Sequence, residues 1–411
     1  IKLKKQDNTN KKTDELLEKK TDEISPQQET QKKTQEIKQD DAIKTKKAPT
    51  LKIKVKVKKD PKKRITQNIA LDIADKKYNK KLRENEEKER KFLENNEDLN
   101  TNLYPNLNDP AFSVKIAKKL EFSETKYIGD IADVEKMAER MCNEDRELAP
   151  HQIFVRNFLS FNTPYNSLLL YHGLGSGKTC AAVGIMEETR HYFKQLGIKN
   201  KIFVLAQPNV QNNFKVELFD QRKLVKVNDV WTLKSCIGER LLKEFNANSS
   251  KTNKETIIKS INMMIRNSYK FIGYEEFASY ITSLSNIEGN YKIETKKIII
   301  RKKLNNILEN TLIVIDEVHN IRPSGGNKEK RIYETLMTLA SYVDNLRFLF
   351  LSATPMFNTS TEIVPLINIM NTNDNRSTIN VKEVFDDRGN LKLNEETGEK
   401  IGEDLLTTKM N

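Results

Sequence analysis

YHGLGSGKTCAAVG, residues 171–184, follows directly on the apolar run SLLL. It meets the second half of the phosphate-loop pattern G-x-x-x-x-G-K-[ST] at Gly177, Lys178 and Thr179, with Gly175 two places earlier. The pattern's first glycine is out of register: His172 holds that place and Gly173 follows. From average residue usage, G-x-G-K-[ST] arises by accident in about one percent of chains this long, and an accidental match would not need the right flanks. Ser167 to His172 has strand character and Cys180 to Glu188 continues in helix formers, so the glycines fall at a strand-to-helix turn. Glycine lets the backbone of Gly173, Gly175, Ser176 and Gly177 wrap close to phosphates, and the N–H groups opening the helix bring partial positive charge to meet them. Lys178 would then reach the β- and γ-phosphates of a nucleotide and the Thr179 hydroxyl would ligate Mg2+. The plain alternative is a glycine-rich turn with no ligand.

At 411 residues the chain has room for two or three domains, and 37% hydrophobic content supplies one good core but is thin for the whole length. It begins with Ile rather than Met, which raises the expectation of a fragment or a processed chain. No apolar run approaches the roughly eighteen residues of a membrane span, and the first residues lack the apolar core of a signal peptide. Cys142, Cys180 and Cys236 are widely separated and form no C-x-x-C pair, which argues for a reducing compartment and against a disulfide framework or structural zinc. The four histidines are too scattered to suggest a metal site.

The net charge of +13 is a nucleic-acid signature only until it is located. Residues 1–41 cancel, and the eleven Lys and Arg of 42–66 against Asp60 account for +10. Little net charge is left for the remainder. Residues 1–66 read as a disordered, Lys-rich tail, since their composition cannot bury enough surface to offset ordering entropy. Within it LKIKVKVKK, 51–59, alternates apolar and Lys and could form an amphipathic strand against a partner or a nucleic-acid backbone; a solvated basic tail is the plainer reading. KKDPKKR also resembles a nuclear-import peptide. Residues 67–102 read as a charged, exposed helix or linker, and 103–147 as an N-terminal extension where apolar residues return.

Five strand candidates follow: Ser167 to His172, Lys201 to Ala206, Tyr269 to Tyr274, Thr311 to Asp316 and Arg347 to Ser352, with helical stretches between. Apolar strands alternating with helices predict an α/β fold, a parallel sheet covered by helices on both faces. In such sheets ligands bind at the carboxyl ends of the strands. TLIVIDEVHN, 311–320, releases Asp316 and Glu317 at such an end. That pair suits Mg2+ chemistry: Asp316 would hold the metal and Glu317 would orient and deprotonate an attacking water. An Asp-Glu pair alone is common surface decoration, and His319 alone would more often be structural. The preceding phosphate loop makes the pair specific.

The order of these pieces, Asp-Glu-Val-His at 316–319 and then Ser352, Ala353 and Thr354 after RFLFL, resembles the DExH box and Ser-Ala-Thr motif of superfamily 2 helicases and translocases. The resemblance implies a RecA-like P-loop lobe in which His319, Ser352, Ala353 and Thr354 couple ATP hydrolysis to movement on nucleic acid. LAPHQIFVRNFL, 148–159, is similar to the segment in which a glutamine reads the adenine edge, and Gln152 matches that position. VLAQPNVQNNFKVEL, 204–218, resembles the motif whose loop and helix N-terminus touch the nucleic-acid backbone, placing Pro208, Asn209 and Asn213 there; KFIGYEEF, 270–277, resembles the next. SATPMFN followed by TEIVPLINIM narrows the resemblance to the Swi/Snf-like branch, and to the helicase-like ATPases of nucleocytoplasmic large DNA viruses, such as the poxvirus early transcription factor small subunit and nucleoside triphosphate phosphohydrolase I. YPNLNDPAFSVKIAKKLEF, 104–122, and SCIGERLLKEF, 235–245, are similar to segments of the giant-virus members.

The resemblance thus implies a nucleic-acid-dependent ATPase lobe over 148–372 that uses ATP and Mg2+ and acts on DNA during viral transcription. Its implied partners are DNA or RNA and a viral RNA polymerase or large transcription-factor subunit, without a membrane. Its implied location, for a viral protein, is the virion and host-cell cytoplasm, at the viral factory; otherwise it is intracellular, with the nucleus open. The distance from Lys178 to Asp316 predicts an inserted helical element within about 226–310. Residues 373–411 read as a polar connector to a second lobe for which too little chain follows, so slow turnover by these 411 residues alone is expected. Two rivals stand beside this reading: an RNA helicase with the same motifs, and a non-catalytic nucleic-acid or polymerase-docking module. A P-loop kinase would leave the Ser-Ala-Thr element and the Gln152 segment without a job.

Overall fold

In a computed structural model of the chain, residues 61–96, 104–126, 148–173, 175–244, 252–287, 289, 291–323, 326–356, 358–394 and 397–410 are described, with backbone alone for 61–74. The tail before 61, the alternating run 51–59 and residues 127–147 of the N-terminal extension lie outside them.

Among the described residues there are seven strands: β1 (Ser167–Tyr171), β2 (Ile202–Leu205), β3 (Leu224–Val227), β4 (Val230–Leu233), β5 (Tyr269–Ile272), β6 (Leu312–Ile315) and β7 (Arg347–Ser352). Five of them form one sheet in the order β1-β7-β6-β2-β5, every pair parallel. They fall at the five predicted positions, trimmed by a residue or two at some ends. Their near-continuous apolar character has a geometric cause: successive side chains point to opposite faces, and both faces are covered. Leu349 and Leu351 of β7 enter one core cluster and Phe348 and Phe350 the other, as Leu312 and Val314 of β6 part from Ile313 and Ile315. The helices Lys178–Leu196, Pro208–Leu218 and Lys254–Ser268 close the first face; Tyr274–Ser285, Ile293–Leu308 and Asn327–Tyr342 close the second.

Several expectations change. The region 226–310 is not simply a helical insertion. Between β2 and β5 it holds an antiparallel hairpin, β3 with β4, whose turn residues Asn228 and Asp229 take φ of 48° and 63°. Such left-handed pairs close two-residue hairpins, and Asn and Asp tolerate them. Cys180 and Cys236, expected to be free, form a disulfide across 56 positions with Cα atoms 5.6 Å apart. Their wide spacing hid a pairing that only the packing of the hairpin region on the phosphate-loop helix creates.

The charged stretch is a helix, Pro61–Asn95, so Pro61 to Thr66 belong to it rather than to the tail. It is docked rather than free. Asn79 and Arg83 hydrogen-bond Thr378, Arg83 pairs with Glu383 at 2.9 Å, Glu86 accepts from Ser377 and Lys409, and Arg90 donates to Thr408 at 3.1 Å. Spacings of three and four put these four residues on one helical face. The polar stretch 373–411 packs on the lobe through a few apolar residues. Ile379, Val384 and Phe385 are buried with Ile363, Val364 and Ile367 of the helix Ile363–Asn373. Three apolar side chains in a polar segment suffice once a neighbouring helix offers them a surface.

Candidate active site at the carboxyl edge of the sheet

β1 ends at Tyr171 and the chain turns through 172–177 into the helix Lys178–Leu196. Gly175 and Gly177 adopt φ of 81° and 78°, where a side chain would be strained. A Cβ on Gly177 would also stand 2.5 Å from the Gln152 amide nitrogen, whereas one on Gly173 would meet nothing within 4 Å. The shifted first glycine therefore costs the turn nothing: the positions that need glycine have it. The His172 carbonyl accepts from Lys178 Nζ at 2.7 Å and the Gly173 carbonyl at 3.3 Å, so the lysine is held by its own loop. Ser176 Oγ donates to the Gly173 carbonyl at 2.9 Å. Thr179 stands at the second helical position, half-buried. The His172 imidazole sits below its ordinary pKa through burial, with His151 and Lys178 adding to the effect.

Gln152, on the helix Pro150–Phe158, is buried. Its Oε1 accepts from the Ala149 N–H at 2.9 Å and its Nε2 donates to the Gly177 carbonyl at 3.2 Å. It is thus a strut under the phosphate loop as well as the candidate for the adenine edge.

β7 lies between β1 and β6, so the phosphate loop and the acids are brought to one sheet edge from strands that are not neighbours. Burial, then the neighbouring Glu317 carboxylate, pushes the Asp316 carboxyl up to about 6; Lys178 is close enough to pull it the other way. A buried acid pressed by a second acid is the kind of site a divalent cation relieves, and a hydroxyl plus one carboxylate leaves room for phosphate oxygens and waters. Thr179 and Asp316 fit Mg2+ in that sense. Glu317 itself adopts φ 47°, ψ 54°, a left-handed conformation uncommon for a non-glycine residue.

Glu317 and Ser352 are joined through one imidazole. His319 Nδ1 lies 3.2 Å from Glu317 Oε2 and 3.2 Å from Ser352 Oγ, and Ser352 Oγ accepts from the Thr354 N–H at 3.0 Å. Ser352 is fully buried at the end of β7, which fixes the chain's anchor. Ala353 follows it, half-buried and without a polar side chain of its own. Pro208, Asn209 and Asn213 are exposed on the helix that follows β2, with Pro208 and Asn209 at its first turn beside the same sheet edge.

One site residue was not singled out from sequence. The Tyr274 hydroxyl donates to the Asp316 carbonyl and also hydrogen-bonds the Asn320 side chain. The signal was present, since Tyr274 lies in the segment 270–277, but nothing in the sequence says where its hydroxyl lands.

A Gly-Lys-Thr turn and a pair of acids at the carboxyl edge of one parallel sheet, with one strand between theirs, define an α/β lobe laid out as helicase-type proteins are. Residues 132–408 match the SNF2-related domain family, and the chain belongs to it. It is 28% identical over 303 residues, and 29% over 269, to two proteins of Acanthamoeba polyphaga mimivirus that carry the name ATP-dependent RNA helicase. These alignments cover 69% and 65% of this chain but 24% and 39% of those proteins. An early transcription factor large subunit homolog of African swine fever virus is 25% identical over 267 residues, covering 53% of this chain and 24% of that protein. The resemblance to superfamily 2 helicases of large DNA viruses therefore holds, and the chain spans well under half the length of these relatives.

Proposed function

We propose that these residues form the ATP-binding lobe of a nucleic-acid-dependent ATPase that moves on DNA in viral transcription. The observation that carries the reading is the convergence of Lys178 on Asp316 from strands separated by β7. Lys178 leaves the His172 and Gly173 carbonyls to take up the β- and γ-phosphates of ATP, and the N–H groups opening its helix hold the remaining charge. Thr179 and Asp316 would hold Mg2+, which would supply charge neutralisation at the transferred phosphoryl group. Glu317 orients a water and takes its proton as water adds to the γ-phosphorus and ADP leaves. His319 relays the state of Glu317 to Ser352 and Thr354, and Gln152 reads the adenine edge. Pro208, Asn209 and Asn213 meet the backbone of the strand being moved.

The family's helicase relatives support ATP use, and the transcription-factor relative supports a setting among transcription machinery at the viral factory, with a viral RNA polymerase or a large transcription-factor subunit as partner. A second reading, movement on RNA, is favoured by the names of the mimivirus relatives. Comparing stimulation of ATPase by duplex DNA and by single-stranded RNA separates the two. Among the described residues no helix is long and apolar enough to cross a membrane.

The test is a pair of substitutions. Lys178→Ala is expected to weaken ATP binding by roughly 30- to 100-fold, the loss of one or two charge-assisted hydrogen bonds. Glu317→Gln is expected to keep ATP binding and lose nucleic-acid-stimulated turnover. Normal turnover in either variant rejects the roles assigned.

A further inference from the structure

Both backbone polar groups of Asp316 are tied to strand ends that lead towards the candidate nucleic-acid face. Its N–H donates to the Leu205 carbonyl at 3.0 Å, at the end of β2, three residues before Pro208. Its carbonyl accepts from the Tyr274 hydroxyl, in the first turn of the helix that follows β5. The same hydroxyl reaches Asn320, at the far end of the short turn Val318–Asn320. Between the two points held by one phenol lies Glu317, in its left-handed conformation.

A peptide plane in that region of backbone space is costly to hold without outside support. The 316–317 peptide is held at its oxygen by the Tyr274 hydroxyl and at its N–H by the Asp316 carboxylate, while Asn320 N–H closes back on the Glu317 carbonyl at 3.0 Å. Rotating that peptide would swing the Glu317 carboxylate away from any water aligned on a γ-phosphate. Small errors in such alignment are expensive in rate and cheap in binding.

We infer that Tyr274 is a positioning residue for hydrolysis: it locks the Asp316–Glu317 peptide and links the β5 end of the nucleic-acid face to the acid that activates water. The inference rests on the ATPase reading above. It adds that occupancy at the turn after β5 is felt by Glu317 through one hydroxyl rather than through the loop that holds the phosphates.

The experiment compares Tyr274→Phe, Asn320→Ala and Glu317→Gln in the full-length protein, reading kcat, ATP Kd and melting temperature with and without nucleic acid. Tyr274→Phe keeps the ring and its packing and removes only the donor. The expected result is a fall of about tenfold in stimulated kcat, with ATP Kd within twofold of wild type and an unchanged melting temperature. Asn320→Ala, which leaves the Tyr274–Asp316 bond in place, is expected to lose about twofold. A kcat within twofold of wild type for Tyr274→Phe overturns the inference, as does a loss of ATP binding that matches the loss of kcat, or a larger fall for Asn320→Ala than for Tyr274→Phe. Glu317→Gln keeps the two levels apart. If it abolishes turnover while Tyr274→Phe is normal, only the positioning role fails; if it turns over normally, the ATPase assignment fails with it.

Discussion

The five-stranded sheet and the helix Pro61–Asn95 are held to the same compact unit by opposite means. Around β7 and β6 the contacts are almost wholly apolar: Phe348, Leu349, Phe350, Leu351 and Ile313 are fully buried, and the Phe348 and Phe350 rings stack at 5.4 Å. Along the helix they are polar, a row of Asn79, Arg83, Glu86 and Arg90 against Thr378, Glu383, Ser377, Lys409 and Thr408. Burial of apolar area is indifferent to pH and strengthened by salting-out ions, whereas ion pairs near the surface are titrated and screened. One molecule thus carries a core that answers to shape and a belt that answers to charge.

The contrast is broken most severely in the core. Phe350→Ala is expected to cost about 3–5 kcal/mol, read as a fall in the midpoint of denaturant unfolding with the slope unchanged. A cost near that of a surface substitution would mean the sheet is not the stabilising centre.

Acid sharpens it. Burial pushes the Glu86 carboxyl up, but hydrogen bonds from Lys409 and Ser377 outweigh it and hold the group below its ordinary value. The hydrogen bonds from Arg83 hold Glu383 below its own, against burial. A depressed carboxyl contributes stability that is present above the unfolded value, about 4.3, and lost as pH falls through the folded one. The helix is therefore expected to stay docked from neutrality to about pH 5 and to come free below about pH 4 while the sheet persists. Proteolysis within 75–96 under acid, with far-ultraviolet dichroism of the core retained, would show it; simultaneous loss of both would unite what the comparison separates.

The smallest effect is the one most specific to the belt. Arg83 and Glu383 are each about two-fifths exposed. Arg83→Ala should cost only about 0.5 kcal/mol, and half of even that should vanish in 1 M salt. Hydrogen exchange of the helix at low and high salt measures it, and a salt-independent change would argue that Arg83 acts through packing.

The strands were legible because burial leaves a local pattern. LLL at 168–170, IFVL at 202–205, LIVI at 312–315 and FLFL at 348–351 are apolar at every position because a parallel sheet buries both faces, and local pattern records that demand directly. Gly175 and Gly177 are legible because their turn needs positive φ at those offsets, and the parallel order of the strands brings Lys178, Asp316 and Glu317 to one sheet edge. The helix itself was legible, but its docking was not, because a face of Asn, Arg and Glu has no apolar signature; its partners lie about three hundred positions away. The Cys180–Cys236 bond was missed on the same ground, since pairing across 56 positions is a property of packing.

What the sequence by itself determined is the set of elements and the residues at their ends: strands with both faces apolar, a turn with glycine where φ is positive, two acids released from a buried strand. These are local demands, each met within a few residues of where it arises. Only the tertiary structure decided that β7 enters between β1 and β6, that Tyr274 holds the Asp316 carbonyl, and that a charged helix rests on the segment around Ser377. Those outcomes depend on which distant surfaces meet, and a hydrogen-bond donor in a sequence carries no record of the acceptor that folding will bring to it.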